Sequence, residues 1–435
     1  MITRSKTYCV TDYGAKSNGN LCTEAFQKAI DDCFLGGGGE VVVPTGEYLT
    51  GGIRLRSGIT LHLMKNAVVK GSVDPEDYFS YLNDTVEPIL SEDKAKIYTS
   101  LVEVRSAVPC SRWNNAIIRA IRAENISIIG EEGSVIDGQN CFDKDGEENY
   151  RGPHAINFWL CKNIVFKGYT VKDSANWAHA IFNSENVYAE NLTVLGGHDG
   201  FDVRTCDNVK VENCRFYTGD DCLAGFDNVG VHVDNCVFNC ACSFMRFGGT
   251  DVLIENCIGY SPSVYGFRGH LSQSEKQNRE PTNENCRHQC HHVFQYYCDE
   301  RAKIRKAPEN IVIRHCSFKN AKTIFESPFG AIWCNNRSIR GITFDNCVFE
   351  GVSVPIKTKA PADEPLNFVM RDCTVISENP ENEIMEIENN QSIVLDNVKF
   401  YNFDKPLILC TNISNIDIVG CKPDIEVKRL ESEAK

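Results

Sequence analysis

The chain has 435 residues, which exceeds the usual size of a single globular core. It therefore forms either two domains or one elongated repeat structure that adds core layer by layer. Lys and Arg number 45 against 59 Asp and Glu, a net charge of −14 that is spread along the chain without a basic block. This balance argues against nucleic acid or an anionic membrane as a partner and favours a neutral or small ligand.

The first residues contain no apolar targeting stretch, because Met1–Lys6 lead directly into the patterned segment Tyr8–Tyr13. No run of 18 or more apolar residues occurs anywhere in the chain. These features predict a soluble, cytoplasmic protein that does not enter a membrane. In such a setting the 22 cysteines are expected to be reduced and buried as small hydrophobic residues.

One helix is predicted from about Thr23 to Phe34, where the apolar residues recur at helical spacing. The apolar face consists of Ala25, Phe26, Ala29, Ile30 and Cys33. The glycine run Gly36–Gly39 ends this helix and lacks the Lys-Ser/Thr pair of a phosphate loop, so it is interpreted as a plain turn. The helix is expected to cap the open N-terminal end of a repeat structure.

Short β-rich segments recur at a nearly constant interval and predict the fold. Asn163, Asn186 and Asn208 follow one another at 23 and 22 residues. Segments that end in Asn-Cys continue the repeat, with cysteines at 214, 236 and 257, and looser copies reach Cys421. Short strands with this period and no helix between them are typical of a solenoid. The sequence therefore predicts an all-β, single-domain parallel β-helix.

The predicted organisation is one domain that covers residues 1–435. Its parts are an N-terminal cap with the first turns (8–70), core turns with the active site (110–270), an insertion loop (271–309) and C-terminal turns (310–435).

Two acidic clusters, Gly197–Asp202 and Gly219–Cys222, occupy equivalent places on neighbouring turns of this repeat. Asp199 and Asp220 are 21 residues apart, one period of the solenoid. Strands on adjacent turns lie about 4.8 Å apart, so the two carboxylates are expected to repel and to raise one pKa. Such a pair can divide the roles of general acid and base. The alternative is that both clusters are ordinary polar turns.

At these residues the chain resembles glycoside hydrolase family 28, the polygalacturonases and rhamnogalacturonases, which share a right-handed parallel β-helix. The resemblance runs from about Val10 to beyond Phe349. It is carried weakly by Val10–Ala15 and Val43–Tyr48, better by Ile136–Gln139 and Ser174–His179, and most strongly by Gly219–Cys222.

The resemblance implies roles for three aspartates. Gly219–Cys222 is similar to the family's Gly-Asp-Asp-Cys, so Asp220 would protonate the glycosidic oxygen. Asp199, in the counterpart of the family's Asn-Thr-Asp-Gly-hydrophobic-Asp, would activate the attacking water together with Asp221. The resemblance also implies inversion at the anomeric carbon, for which carboxyl groups are typically about 6.5–9.5 Å apart. No cofactor and no metal are expected.

Two departures from the family pattern indicate an altered substrate. Where the family has Gly-His-Gly, this chain has Ala241–Arg246, without histidine. Where the family has Arg-Ile-Lys, this chain has Tyr265–His270, in which Arg268 can still grip a carboxylate while His270 is a pH-dependent substitute for lysine. The predicted substrate-binding residues are His198, Asp202, Arg246, Arg268, His270, Tyr265 and Trp177.

Three alternatives stay open at this point. His198 is a sugar ligand, a partner of Asp220 or a solvated turn residue. The aromatic residues Trp177, Tyr265 and Phe267 either stack on sugars or pack on the flank of the solenoid. The segment Cys286–Cys298 contains zinc-type ligands, although cysteine serves as a core residue elsewhere in the chain.

The leading functional hypothesis is a hydrolase that trims imported plant-type, pectin-related oligosaccharides from their ends. The first alternative is a polysaccharide lyase or uronate epimerase, which needs a strong base and charge neutralisation by Lys, Arg or Ca²⁺. The second is a β-helix that binds carbohydrate without catalysis. The sequence leaves the sugar, the linkage and the oligomeric state open.

Overall fold

The structure is a computed structural model that describes residues 6–80, 84–90, 113–278, 285–298, 304–328, 339–360, 366–389 and 392–431. The chain divides into two compact units, Met1–Thr218 with Tyr265–Cys286, and Gly219–Val264 with Arg287–Lys435. They are called the first and second units below. Within the described residues, no helix is both long enough and apolar enough to span a membrane.

The first unit consists of coils that each contribute up to three strands, and equivalent strands of successive coils pair in parallel. One sheet contains Ile53–Leu55, Ala116–Ile121, His154–Trp159, His179–Phe182 and Phe201–Arg204. The next strand along each coil belongs to the series Thr7–Cys9, Gly39–Val43, Ile59–Leu63, Glu124–Gly130, Lys162–Lys167, Glu185–Glu190 and Asp207–Glu212. The third series is Gly46–Thr50, Ala67–Gly71, Val135–Asp137, Thr170–Lys172, Thr193–Gly196 and Arg215–Thr218. The short strand Phe142–Glu147 stands outside these series.

The second unit repeats the same three-strand coil. In the first two coils, a single long strand covers both the first and the second strand series; these strands are Leu223–Asp234 and Ser243–Glu255. In the later coils the two series are separate strands, which form two branches. One branch is Cys290–Tyr296, Ala321–Pro328, Ile356–Lys359, Met385–Glu388, Leu407–Thr411 and Glu426–Arg429. The other branch is Glu309–Arg314, Ile342–Asp345, Asn367–Arg371, Ser392–Asp396 and Asn415–Val419. The third series is Val237–Cys240, Ile258–Tyr260, Ser317–Lys319, Val348–Val352, Thr374–Ser377 and Lys399–Tyr401.

The recurring asparagines of the sequence lie at corners of the coils. Asn163, Asn186 and Asn208 have φ angles of +55°, +56° and +56°, in the left-handed region that asparagine tolerates better than most residues. Their side chains form a ladder, since Asn186 Nδ2 donates to Asn163 Oδ1 at 2.9 Å and Asn208 Nδ2 donates to Asn186 Oδ1 at 3.2 Å. Each asparagine thus both turns the chain and bonds the coil before it.

The cysteines that follow the asparagines point into the core, as predicted. Every cysteine that the structure describes is a free thiol, and most are buried. Several form a row in the second unit, where the Cys236 amide lies 3.4 Å from Cys257 Sγ and the Cys257 amide lies 3.4 Å from Cys316 Sγ. Cysteine therefore fills one small apolar position per coil.

The predicted N-terminal helix is confirmed as Thr23–Leu35, with the expected apolar face buried. It packs against Val10–Tyr13 and the first strands of the first unit. The glycine run after it is a turn, because Gly38 has φ +91° and a Cβ there would lie 2.6 Å from the carbonyl oxygen of Gly58. Among the described residues, helical turns also occur at Val10–Tyr13, Pro75–Tyr78, Arg268–His270 and Gln273–Gln277.

The segment predicted to be an insertion loop, residues 271–309, contains a strand of the sheet. Cys290–Tyr296 pairs in parallel with Ser243–Glu255 on one side and with Ala321–Pro328 on the other. This strand brings His292 into register with Ser243. The assignment of the whole chain to one domain stays a prediction.

Candidate active site

The second unit holds two adjacent buried carboxylates, Asp220 and Asp221. They lie in the turn that precedes the strand Leu223–Asp234, and their exposed fractions are 8% and 0%. Both carboxylates and the Cys242 thiol place a ligand atom within 4.8 Å of one another. Successive side chains alternate sides only in extended strands, and these two aspartates belong to a turn. The turn therefore brings together two side chains that a strand would have separated.

Asp221 is held by the next coil. Its Oδ1 accepts a hydrogen bond from the Ser243 amide at 2.9 Å, and the Cys222 amide donates to the Ser243 carbonyl at 3.1 Å. Its Oδ2 lies 3.6 Å from Arg246 Nη1. Burial, with the neighbouring charge of Asp220, raises the pKa of Asp221 to about 6 against the opposing effects of Arg246 and of a hydrogen bond with the Ser243 side chain. The site can therefore hold one proton at a pH at which isolated carboxyls have lost theirs.

Arg246, predicted to bind substrate, packs beside this acid pair. It stands in register with Ala224 on one side and Gln295 on the other. Its guanidinium lies 4.4 Å from the centre of the Tyr297 ring. Burial disfavours the charge, but Asp221 and other neighbours raise the pKa of Arg246 overall. Arg246 therefore balances part of the negative charge of Asp220 and Asp221.

His292, considered from the sequence only as part of the zinc-type segment Cys286–Cys298, lies on the far side of Ser243. Its Nδ1 is 3.3 Å from Ser243 Oγ, and its Nε2 bonds Glu326 Oε2. The hydrogen bond from His292 holds the pKa of Glu326 below its usual range despite the effect of burial. The signal available in the sequence was the Cys/His-rich segment itself, which we considered only as a possible zinc site.

The zinc-type ligands of that segment face separate partners. His288 Nδ1 bonds the Ser263 carbonyl at 2.7 Å, and Cys290 Sγ lies 3.8 Å from Cys240 Sγ. The only group of three potential metal ligands found among the described residues is Asp220 with Asp221 and Cys242. The structure therefore favours the core role for Cys290.

In the first unit, the turn Gly197–Gly200 is also buried and held by its neighbours. Asp199 is 6% exposed, and its carbonyl accepts a hydrogen bond from the Ala178 amide at 2.9 Å. His179 Nδ1 donates to the Gly200 carbonyl at 3.2 Å, while His179 Nε2 accepts from the Tyr169 hydroxyl at 3.0 Å. Burial lowers the pKa of His179 to about 4, so this histidine is neutral at pH 7. A neutral imidazole thus fixes the backbone next to Asp199.

Asp202 and Trp177, two predicted substrate-binding residues, are engaged with Arg204. Asp202 is fully buried, and its two carboxylate oxygens accept hydrogen bonds from Arg204 Nε and Nη2 at 2.9 and 3.0 Å. The same guanidinium covers one face of the Trp177 ring at 4.5 Å. Trp177 is only 3% exposed and belongs to an aromatic cluster with Trp113 and Trp159. Of the two alternatives for Trp177, stacking on a sugar or packing on the flank of the solenoid, the structure shows packing.

Several cationic groups surround His198 in the first unit. The imidazole is 4% exposed, so it is buried rather than solvated, and its centre lies 5.8 Å from that of the Tyr150 ring. The ammonium of Lys276 lies 4.4 Å and the guanidinium carbon of Arg151 lies 5.7 Å from the centre of the same Tyr150 ring. Burial and the charges of Arg151, Arg268 and Lys276 hold the pKa of His198 well below its usual value. We call Tyr150, Arg151, His198, Arg268 and Lys276 the cationic cluster.

Within the described residues, two cations of this cluster form no ion pair with a carboxylate. Arg151 pairs with Glu148 at 3.0 Å. Arg268, 3% exposed, uses Nη2 to bond the carbonyls of Lys276 and Asn278, and among the described residues its buried Nε has no hydrogen-bond partner. Burial lowers the pKa of both Arg268 and Lys276. The cluster therefore carries positive charge that an anionic group would stabilise.

The other predicted substrate-binding residues of the segment Tyr265–His270, namely Tyr265 and His270, are more exposed than Arg268. His270 is exposed, with its ring 5.2 Å from that of Phe267, and Tyr265 is half-buried. Burial and the charge of Asp173 raise the pKa of Tyr265. The structure gives His270 no carboxylate or backbone partner within the described residues, so its predicted role in binding stays a prediction.

Comparison with known families finds a match in one part of the chain. Residues 42–241 match the model described as glycosyl hydrolases family 28. Residues 42–241, somewhat less than half of the chain, therefore resemble this family. All three predicted catalytic aspartates fall within the matched residues, whereas Arg246, Arg268 and His292 follow them. The departures from the family pattern thus begin where the match ends.

Named relatives match part of the chain. A probable polygalacturonase from Vitis vinifera is 26% identical over 245 residues, which are 52% of this chain and 46% of the relative. An exo-poly-α-D-galacturonosidase from Dickeya chrysanthemi is 27% identical over 254 residues, which are 50% of this chain and 41% of the relative. The chain therefore spans less than half the length of these two relatives.

A solved structure extends the likeness over nearly the whole chain. The hyperthermoactive exopolygalacturonase from Thermotoga maritima aligns with a TM-score of 0.64 and 17% identity, over 91% of this chain and 92% of that chain. At this identity the likeness shows the fold alone. The fold is the right-handed parallel β-helix that the sequence predicted.

Proposed function

We propose that this protein hydrolyses glycosidic bonds and, as the resemblance to family 28 implies, inverts the configuration at the anomeric carbon. The carboxylate oxygens of Asp220 and Asp221 lie within 4.8 Å of each other, closer than the roughly 6.5–9.5 Å typical of an inverting acid–base pair, so inversion is supported by the resemblance and not by this pair. The observation that carries the proposal is the buried pair of Asp220 and Asp221, in which burial and mutual repulsion raise the pKa of Asp221 to about 6. A pair of carboxyls that retains one proton near neutral pH can donate a proton and accept another in the same reaction.

In the proposed reaction the one proton that the pair retains is shared between the two carboxyls, and Asp220 donates it to the glycosidic oxygen as the bond to the anomeric carbon breaks, which leaves Asp221 ionised. A water molecule attacks that carbon from the opposite face and loses a proton to Asp221 or Asp199. The joint action of Asp199 with Asp220 and Asp221 is supported by the family motif and by the one-period spacing in the sequence. The products are two shorter sugars, and the new reducing end has the inverted configuration.

We further propose that the substrate is a pectin-related oligosaccharide that carries carboxylates. The cationic cluster supports this substrate class, because Arg268 and Lys276 are buried cations without a carboxylate partner among the described residues. Attack from the chain end is supported by the exo-acting relatives named above. A cytoplasmic location, and therefore imported fragments as substrates, stays a prediction that the buried free thiols support.

The test of the function is the release of sugars from oligogalacturonides and from neutral plant oligosaccharides of matched length. We expect single uronic acids to appear from the start of the reaction, with the inverted anomer visible by NMR before mutarotation. Products of intermediate length would show that the protein cuts within the oligosaccharide and not at its end. Unsaturated products would identify a lyase, and no product from any oligosaccharide would contradict hydrolysis.

The Lys276→Met variant tests the assignment of the substrate carboxylate. We expect the KM for oligogalacturonides to rise roughly tenfold at unchanged kcat, because one charge-assisted contact to the bound sugar is worth about 1.5 kcal/mol. Methionine keeps the length and the apolar stem of the side chain. The control is Lys144→Met, which removes an exposed lysine of the same unit. Equal KM values for Lys276→Met and wild type would exclude Lys276 from substrate binding.

A further inference from the structure

Behind Asp221, the residues Ser243, His292 and Glu326 lie on three successive coils of the second unit and form a hydrogen-bonded network. Asp221 Oδ1 accepts from the Ser243 amide at 2.9 Å, Ser243 Oγ lies 3.3 Å from His292 Nδ1, and His292 Nε2 bonds Glu326. This network is largely shielded from solvent, since the side chains of Asp221, His292 and Glu326 are 1%, 13% and 24% exposed and Ser243 is buried.

The strand register explains why these residues meet. Ser243 begins the strand Ser243–Glu255, and His292 is its parallel partner on the next coil. Glu326 is paired with Gln295, three positions beyond His292, so its side chain reaches back along the strand to the imidazole. Gln295 Nε2 also lies 3.4 Å from Glu326 Oε2. The carboxylate of Glu326 is therefore held from two positions of one strand.

The geometry fixes the orientation of His292. Glu326 is a carboxylate that can only accept at this contact, so Nε2 of His292 carries the proton that faces it. Nδ1 then faces the Ser243 hydroxyl, as acceptor in the neutral ring or as donor in the charged ring. In both states the ring restrains Ser243, whose amide points at Asp221. This arrangement resembles the support that outer residues give to a reacting group.

We propose that His292, oriented by Glu326, is a positioning residue that acts through Ser243 to hold Asp221 in the orientation needed for reaction with water. The inference rests on the proposed function for its catalytic consequence, but the contacts within the second unit stand apart from it. A merely structural role, in which the three residues tie neighbouring coils together, is the alternative to be tested.

The charged groups around this hydrogen-bonded network influence the pH at which Asp221 ionises. Asp221 faces Asp220, Arg246 and the Cys242 thiol, and the charge that His292 carries when protonated favours ionised Asp221. His292 in turn faces Glu326 and the ring of His291, whose centre is 5.7 Å away. Lys357 on the following coil acts on Glu326.

Two substitutions at position 292 separate positioning from packing. In His292→Asn the amide occupies the place of Nδ1, so the contact with Ser243 can persist while that with Glu326 is lost. In His292→Gln the amide occupies the place of Nε2, so the contact with Ser243 is lost while that with Glu326 can persist. The control is His291→Gln, on the same strand and half-buried like His292.

We expect His292→Gln to lower kcat on an oligogalacturonide roughly tenfold at unchanged KM, the effect of one hydrogen bond to a charged group. His292→Asn and His291→Gln are expected to stay within about threefold of wild type. The limb of the pH–rate profile in which Asp221 ionises should move to higher pH in His292→Gln. Equal kcat values for the Gln and Asn variants, or an unmoved limb, would overturn the inference.

A measurement without catalysis separates this inference from the proposed function. Carbon-13 NMR of the intact protein with labelled aspartate side chains follows the titration of Asp221, identified by its loss in Asp221→Asn. We expect the titration of Asp221 to move upward in His292→Gln and to stay in place in His291→Gln. If position 292 tolerates no substitution, Glu326→Gln replaces it, with a smaller upward movement expected because the amide oxygen still accepts from Nε2. An unmoved titration in folded variants would reject the positioning role even if the protein hydrolyses sugars.

Discussion

The Asp220→Asn variant is expected to lose about 10³-fold in kcat on oligogalacturonides while KM changes by less than about threefold. Asparagine has nearly the same shape but cannot donate a carboxyl proton to the leaving oxygen. It also removes a negative charge beside Asp221, so the pKa of Asp221 should fall towards its usual range. The measurement is initial-rate kinetics with product chromatography.

The leaving group provides a second test of this assignment. An aryl glycoside with an acidic phenol departs without full protonation, so the defect of Asp220→Asn should shrink with such a substrate. The matched control is Asp417→Asn, an exposed aspartate of the same unit. An Asp220→Asn variant with wild-type kcat on oligogalacturonides would remove Asp220 from the proposed mechanism.

The second large effect concerns stability in acid. We expect the free energy of unfolding to receive a destabilising contribution between pH 6.5 and 4 from the buried histidines of the first unit. Burial lowers the pKa of His179 to about 4 and that of His154 to about 3, whereas an unfolded histidine titrates near 6.5. The unfolded state then binds more protons than the folded state, and stability falls as the pH falls through this window.

For His179 the shift corresponds to roughly 3 kcal/mol between pH 7 and pH 4. The His179→Gln variant should lose that part of the pH dependence, whatever it costs in stability at pH 7. Asp221 contributes with the opposite sign, because its raised pKa makes the folded state bind more protons between pH 4 and 6. Urea unfolding at several pH values, compared with the exposed His270→Gln, isolates the His179 contribution. Parallel curves for wild type and His179→Gln would show that His179 is protonated without cost in the folded state.

Much of the fold could be predicted because each coil repeats the same short sequence pattern. Asparagine at the left-handed corners and cysteine behind them recur once per coil, so the period could be read directly from Asn163, Asn186 and Asn208. The same period located the acidic turns that contain Asp199 and Asp220. Adjacent carboxylates such as Asp220 and Asp221 need no long-range information to be found.

The supporting residues could not be predicted for the opposite reason. Ser243 and His292 are 49 residues apart in sequence, and the segment between them departs from the regular period. The burial of Arg268 depends on backbone carbonyls of Lys276 and Asn278, which carry no sequence signal. Trp177 was considered as a sugar platform because aromatic type alone does not reveal that Arg204 covers its face.

The row of buried cysteines makes each coil of the second unit individually observable. Hydrogen bonds with neighbouring thiols, together with burial, raise the pKa of Cys316 and of Cys347 to about 12, so neither is a reactive thiolate at neutral pH. An alkylating reagent can modify such a thiol only after its coil has opened to solvent. Residue-resolved alkylation rates therefore measure local opening free energies along the row and show at which coil unfolding begins.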